Sequence, residues 1–324
     1  SSQLTATWPL RHIPAPRRAS LLCIGLLLAI FFGLACYGQL LARPAPEKWF
    51  PPAAWLPRAT HGLVNGTLTQ TVTIQLILIV GFLLGVCRFR PREIGLDFVK
   101  LPSAAFLTTF IWAANQALLV IVLALSGQEI TVNPQWTSGG WTWAAGAWLG
   151  QLFGNTPLEE VIFRGFLLPQ CLLLTLSWLP KARAGIPVLF ALVLSQAIFT
   201  MPHVFYNAYE PQGQWILLAQ FAMGLLFAGV YLRTGNLFLA MGLHTLVNNP
   251  GPLLKDPFPG PGLGGGMMGF ATLLAVIVGP WVARHVRPGT PDPSPSTGRD
   301  QTSTGDQKSP ERSAVVTREA NGEG

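Results

Sequence analysis

Near-continuous apolar runs of roughly 18 or more residues, separated by short polar or Pro-rich stretches, recur along most of the chain. They predict eight membrane spans: 20–42, 68–87, 103–126, 143–178 (interrupted), 186–203, 214–233, 236–249 and 267–283. The expected fold class is all-α, a polytopic membrane helical bundle with one helix broken near the candidate active site. Two segments fall outside that pattern. Residues 284–324 are rich in Pro, Ser, Thr, Gly and charge and read as a disordered cytoplasmic tail, so the integral membrane domain spans 1–283. The stretch 250–266 is too rich in Pro and Gly for helix and joins the last two spans. The first apolar run follows Arg11, Arg17 and Arg18 and is too long for a signal-peptide core, so a retained helix is expected.

Composition agrees. Half of the 324 residues are hydrophobic and 11% are charged, where a soluble domain carries about a quarter. The net charge of +7 does not mark a nucleic-acid binder. Residues 284–324 balance to zero, so the excess lies in the hydrophobic part, mostly in short connections between spans. With alternating spans, twelve Lys/Arg fall on one face and only Arg43, Lys48, Arg58 and Lys255 on the other. That asymmetry predicts cytoplasmic N- and C-termini in a plasma membrane, the bacterial inner membrane being the expected location. Cys23, Cys36, Cys87 and Cys171 lie in or beside apolar runs without CxxC spacing and read as small buried residues. Asn65-Gly66-Thr67 matches a glycosylation sequon, a weak signal by itself.

Against this background, charge inside a span stands out. Each buried charge costs roughly 2.5–3.5 kcal/mol on insertion scales and so marks a functional candidate. Arg233 at a span end aside, the spans hold three formal charges, Glu159, Glu160 and Arg164, all within NTPLEEVIFRGFLLP. The histidines within spans are His203 and His244; His12, His61 and His285 lie in connections or termini. Glu160 and Arg164 stand at i and i+4, the favourable order for an ion pair. Glu159 is rotated by about 100° from Glu160, which leaves one carboxylate free for chemistry. His244 and Asn248, again i and i+4, share a helix face. A carboxylate and an imidazole can hold a water and take its proton, while a second imidazole and an amide can donate to an oxyanion.

Structural readings exist for each residue. Thr156-Pro157-Leu158-Glu159 fits a capping box that starts a helix at Thr156, with 143–155 interfacial or re-entrant. That start brings Glu159 level with His203. Glu160–Arg164 could be a purely structural pair, His203 an interhelical hydrogen-bonder beside a backbone broken at Pro202, and His244 with Asn248 a helix–helix contact.

Taken together, Glu159-Glu160-x-x-x-Arg164-Gly165, Phe199-x-x-x-His203 and His244-x-x-x-Asn248 resemble the three motifs of the CAAX prenyl protease and bacteriocin-processing family. This family is also called the CPBP or Abi family of intramembrane glutamic endopeptidases. Arg233-Thr234-Gly235-Asn236 is similar to its usual lead-in, and the resemblance covers about 143–250. It implies an eight-span helical core that hydrolyses a peptide bond with water activated by Glu159 and His203. His244 and Asn248 would stabilise the oxyanion, and Glu160 and Arg164 would organise the site. No cofactor is implied; zinc held by Glu159, His203 and His244 is a minority alternative. Thr200-Met201-Pro202 before His203 departs from the small or flexible residues usual there. The expected partners are the lipid bilayer and a peptide or membrane-protein substrate, with no nucleic acid. Two other functions remain open: a proton-coupled secondary transporter using Glu159 and Glu160, and a non-catalytic relative that binds a membrane partner.

Overall fold

The structure, a computed structural model, describes residues 9–10, 12–37, 52–137, 140–207, 213–248 and 253–255. Within them the chain forms eight principal helices: α1 (Leu21–Tyr37), α2 (Pro52–Ala59), α3 (Gly66–Val86), α4 (Leu101–Leu125), α5 (Trp141–Trp178), α6 (Gly185–Asn207), α7 (Gly213–Thr234) and α8 (Leu237–Asn248). Among the described residues there is no β-strand, only an isolated bridge between Val132 and Leu254. Helices α1 and α3 to α8 match the first seven predicted spans. The eighth, 267–283, and the tail from 284 lie outside the described residues.

Five helices, α3 to α7, are long and apolar enough to cross a membrane; α1 and α8 are apolar but shorter. The chain is therefore an integral membrane protein. Burial separates α5 from the rest. In its most apolar stretch 78% of residues are buried, against 17–28% in the other four long helices. Those four send Val86 of α3, Phe106 and Phe110 of α4, Leu189 of α6 and Trp215 of α7 outward, where lipid replaces water as the partner of apolar surface. The helix that bears Glu159, Glu160 and Arg164 is thus the central one.

Small residues bring α5 close to its neighbours. Gly146, Gly150 and Gly154 recur every fourth position, one face of a helix. A β-carbon at Gly146 would collide with the Gly62 carbonyl, one at Gly150 would press on the Asn65 amide, and one at Gly154 would collide with Thr71. Asn65 caps α3 through Oδ1, which accepts from Leu68 N at 2.8 Å, and its Nδ2 donates to Gly146 O at 2.9 Å. Both ends of the sequon amide are thus used inside the bundle.

The predicted break in α5 is not present; the helix changes its winding there instead. Helical backbone continues through Asn155 and Thr156, and two π-helical stretches, Gly150–Asn155 and Glu160–Leu167, flank a single α turn, Thr156–Glu159. Thr156 therefore does not cap a helix start. Its hydroxyl donates to Gln151 O at 2.8 Å, five residues back, which fits the wider π turn. Pro157 has no N–H to give the carbonyl of Phe153, and Gln75 Nε2 reaches it from α3 at 2.9 Å. Pro202 likewise does not break α6, which runs on to Asn207.

Basic connections gather at one end. Lys100 Nζ donates to Gly235 O at 2.7 Å, and Arg17 Nη2 to Cys87 O at 2.5 Å. Gly235, at φ +61°, lies so close to His12 O that a β-carbon would collide with it. At the other end the Trp136 and Trp141 rings lie 5.6 Å apart, and Leu253 N donates to Gln116 Oε1 at 2.8 Å. The cysteine reading is corrected at two positions: Cys23 and Cys87 form a disulfide between the start of α1 and the end of α3. A separation of 64 residues gave no sign of that proximity. Cys171 is buried and free, as expected.

Candidate active site

Helices α5 and α8 run antiparallel, and three polar pairs join them. Asn248 Nδ2 donates to Gln151 Oε1 at 3.2 Å, the Thr156 and Thr245 hydroxyls meet at 2.8 Å, and His244 Nδ1 lies 2.8 Å from Glu160 Oε1. The numbering falls on α8 as it rises on α5, so the ladder fixes the register of the two helices. Polar contacts of this kind position helices where apolar surface alone gives little preference.

Glu160 sits at the closed end of the ladder with no solvent exposure, and Arg164 is nearly as buried. Their i, i+4 pair forms as expected, with Arg164 Nη1 3.0 Å from Glu160 Oε1. Arg164 Nη2 donates to Gln196 Oε1 of α6 and to Gly224 O of α7, each at 3.2 Å. Its guanidinium also lies 4.1 Å from the centre of the Phe199 ring. One cation thereby ties three helices together, and a planar guanidinium with five donors suits that task. Gly224 is small for a reason: a β-carbon there would collide with the Gln196 side chain. Gly165 has a parallel role, because a β-carbon would collide with the Ile94 carbonyl.

The imidazole of His244 lies between the two carboxylates. While Nδ1 faces Glu160, Nε2 lies 3.7 Å from Glu159 Oε2. Phe227 stacks on the ring at 4.6 Å with 21° between the planes, and Phe199 packs edge-on at 6.5 Å. Glu159, 13% exposed in its side chain, is the more accessible carboxylate. As expected from the spacing, Arg164 pairs with Glu160.

The third motif residue arrives from α6. Gln196, Phe199 and His203 fall at i, i+3 and i+7, a single helix face. The His203 ring lies 5.1 Å from that of Phe199, with Nδ1 3.2 Å from the Phe199 carbonyl. Both candidate imidazoles thus flank the same phenyl ring. Asn248, at the exposed end of α8, stands one turn beyond His244.

Among the described residues no three His, Cys, Asp or Glu side chains are grouped as a metal site requires. Gln151, Thr245, Gln196 and Phe227 were not singled out from the sequence, yet they hold the key groups. Gln151 and Gln196 carried a signal, since an amide inside an apolar span needs a partner. Phe227 carried none among so many aromatic residues.

The segment that supplies both carboxylates, both imidazoles and Asn248 is also the one with a family counterpart. No curated protein and no solved structure matches the chain. Residues 141–249 match the family model described as type II CAAX prenyl endopeptidase Rce1-like, so this segment is similar to that protease family.

Proposed function

We propose that the protein is an intramembrane endopeptidase that hydrolyses a peptide bond of a membrane-associated protein or peptide with water activated by Glu159. The placement of His244 between Glu159 and Glu160 is the observation that supports this reading most strongly. Glu159 is the accessible carboxylate and acts as the general base. It takes a proton from water as the oxygen adds to the peptide carbonyl, then returns that proton to the departing amine. His203, across the Phe199 ring, is the second group at the water.

His244 and Asn248 serve the carbonyl oxygen. With Nδ1–H donated to Glu160, His244 offers Nε2–H to an oxyanion when both ring nitrogens are protonated, and each nitrogen then faces a carboxylate oxygen. Glu160 and Arg164 hold the ring in place. The reaction needs no cofactor. In the bacterial plasma membrane the basic end of the bundle would face the cytoplasm, and both termini with it.

N-terminal proteomics of cells carrying wild type or Glu159→Gln tests this function. The expected result is a set of new N-termini, from membrane-associated proteins, present only with wild type. Identical sets in the two strains would refute it.

A further inference from the structure

A cavity of about 400 Å³, separate from the site above, opens between the start of α1 and the end of α3. That volume lies in the range of about 300–1,000 Å³ typical of small-molecule sites. Its rim is cationic, formed by Arg17 and Arg18 with Ser20 beside them. Its walls are apolar, formed by Leu22 and Leu26 of α1 and Phe82 and Val86 of α3.

The rim is held in place rather than merely charged. Gln170, a buried amide of α5, accepts from Ala19 N at 2.8 Å and donates to Arg17 O at 3.0 Å, which fixes the backbone that carries both arginines. The Arg17 guanidinium lies 4.6 Å from the centre of the Phe89 ring and donates to the Cys87 carbonyl. One Nη group is thereby engaged, while the remaining donors and the Arg18 head stay at an exposed rim. The Cys23–Cys87 disulfide ties the two walls together at this level.

We propose that this cavity is a binding site for an anionic phospholipid, with its phosphate at Arg17 and Arg18 and an acyl chain along Leu22, Leu26, Phe82 and Val86. Charge and shape complementarity select this occupant. Leu22 and Val86 are 71% and 72% exposed on two apolar helices, so the apolar wall is open to the acyl-chain region of a surrounding bilayer. A free phosphate has nothing to lay against that wall, and a zwitterionic lipid gains less from two arginines. A basic pocket between helices at the membrane interface is a recurrent form of anionic headgroup site.

Native mass spectrometry of the full chain released from detergent tests the site, with phosphatidylglycerol, phosphatidylcholine or inorganic phosphate titrated in. Wild type is expected to retain phosphatidylglycerol at lower concentration than phosphatidylcholine. Arg18→Gln, which leaves the Arg17–Phe89 contact intact, should weaken phosphatidylglycerol by about fivefold. Leu26→Trp, which fills the wall without changing charge, should weaken it as well. Equal retention of the two lipids would overturn the proposal. So would unchanged phosphatidylglycerol retention in both variants, or inorganic phosphate bound as tightly as the lipid.

Discussion

His244 Nδ1 lies 2.8 Å from Glu160 Oε1, and the opposite nitrogen of the same ring lies 3.7 Å from Glu159 Oε2. Successive residues of a helix point about 100° apart, so one ring can address both only from between them. Antiparallel packing of α8 on α5 puts it there. The two glutamates consequently differ in surroundings: Glu160 is sealed in and shared by Arg164 and His244, whereas Glu159 retains access.

The Arg164 cluster should be most sensitive to loss of one partner. Arg164→Leu leaves Glu160 buried without its cation, a change that costs about 3–5 kcal/mol for buried pairs. The expected outcome is a large drop in thermal stability in detergent. Arg164→Lys should recover only part of it, because an ammonium cannot serve Glu160, Gln196 and Gly224 together with the Phe199 ring. Thermal unfolding of the two variants beside wild type checks the order.

At Gly224 the effect should be steric and conditional. Gly224→Ala places a methyl against Gln196, and overpacking of this kind costs about 1–3 kcal/mol. Pairing it with Gln196→Ala should return part of the loss. Additive effects in the double-mutant cycle would rule out that contact.

With Asn248 as the proposed oxyanion donor, Gln151 is placed to position it through the 3.2 Å amide contact. Gln151→Ala should lower kcat by about tenfold at normal expression, less than the roughly 10²–10³-fold expected when an oxyanion donor is removed in Asn248→Ala. Because Gln151 works only through Asn248, the double variant should be no slower than Asn248→Ala. A Gln151→Ala effect that persists on the Asn248→Ala background would remove the positioning role.

Gly146 and Gly154 test the approach of α5 to the turn before α3 and to α3 itself. Replacing either with leucine should separate the helices and reduce folded yield sharply, since the colliding partners are the Gly62 carbonyl and the Thr71 side chain. The same change at Gly25, where a β-carbon meets nothing within 4 Å, should leave yield unaltered. Size-exclusion profiles in detergent distinguish the two outcomes.

How far these features were legible depends on their range along the chain. Hydropathy located α1 and α3 to α8 because each apolar run is a local property, and Glu160–Arg164 could be read from helical spacing alone. The Gly146, Gly150, Gly154 stripe is equally local, one glycine every fourth position. Contacts across 80 or more positions, such as His244 with Glu160 and Asn65 with Gly146, leave no trace in spacing. The π turns around Thr156 escaped for another reason: Thr-Pro-x-Glu has the chemistry of a helix start. Partners at Gln151 and Gln75 accompany the continuous helix through it. Cys23 and Cys87 meet because the start of α1 and the end of α3 lie at one level, a property of the assembled bundle.

Peptide cleavage by purified protein in proteoliposomes, wild type against Glu159→Gln, is the most direct test of the site. Removing a general base lowers rates by about 10²–10⁴-fold, so the variant should be folded and inactive. A folded Glu159→Gln protein that cleaves at the wild-type rate would contradict the assignment of Glu159 as the water-activating carboxylate.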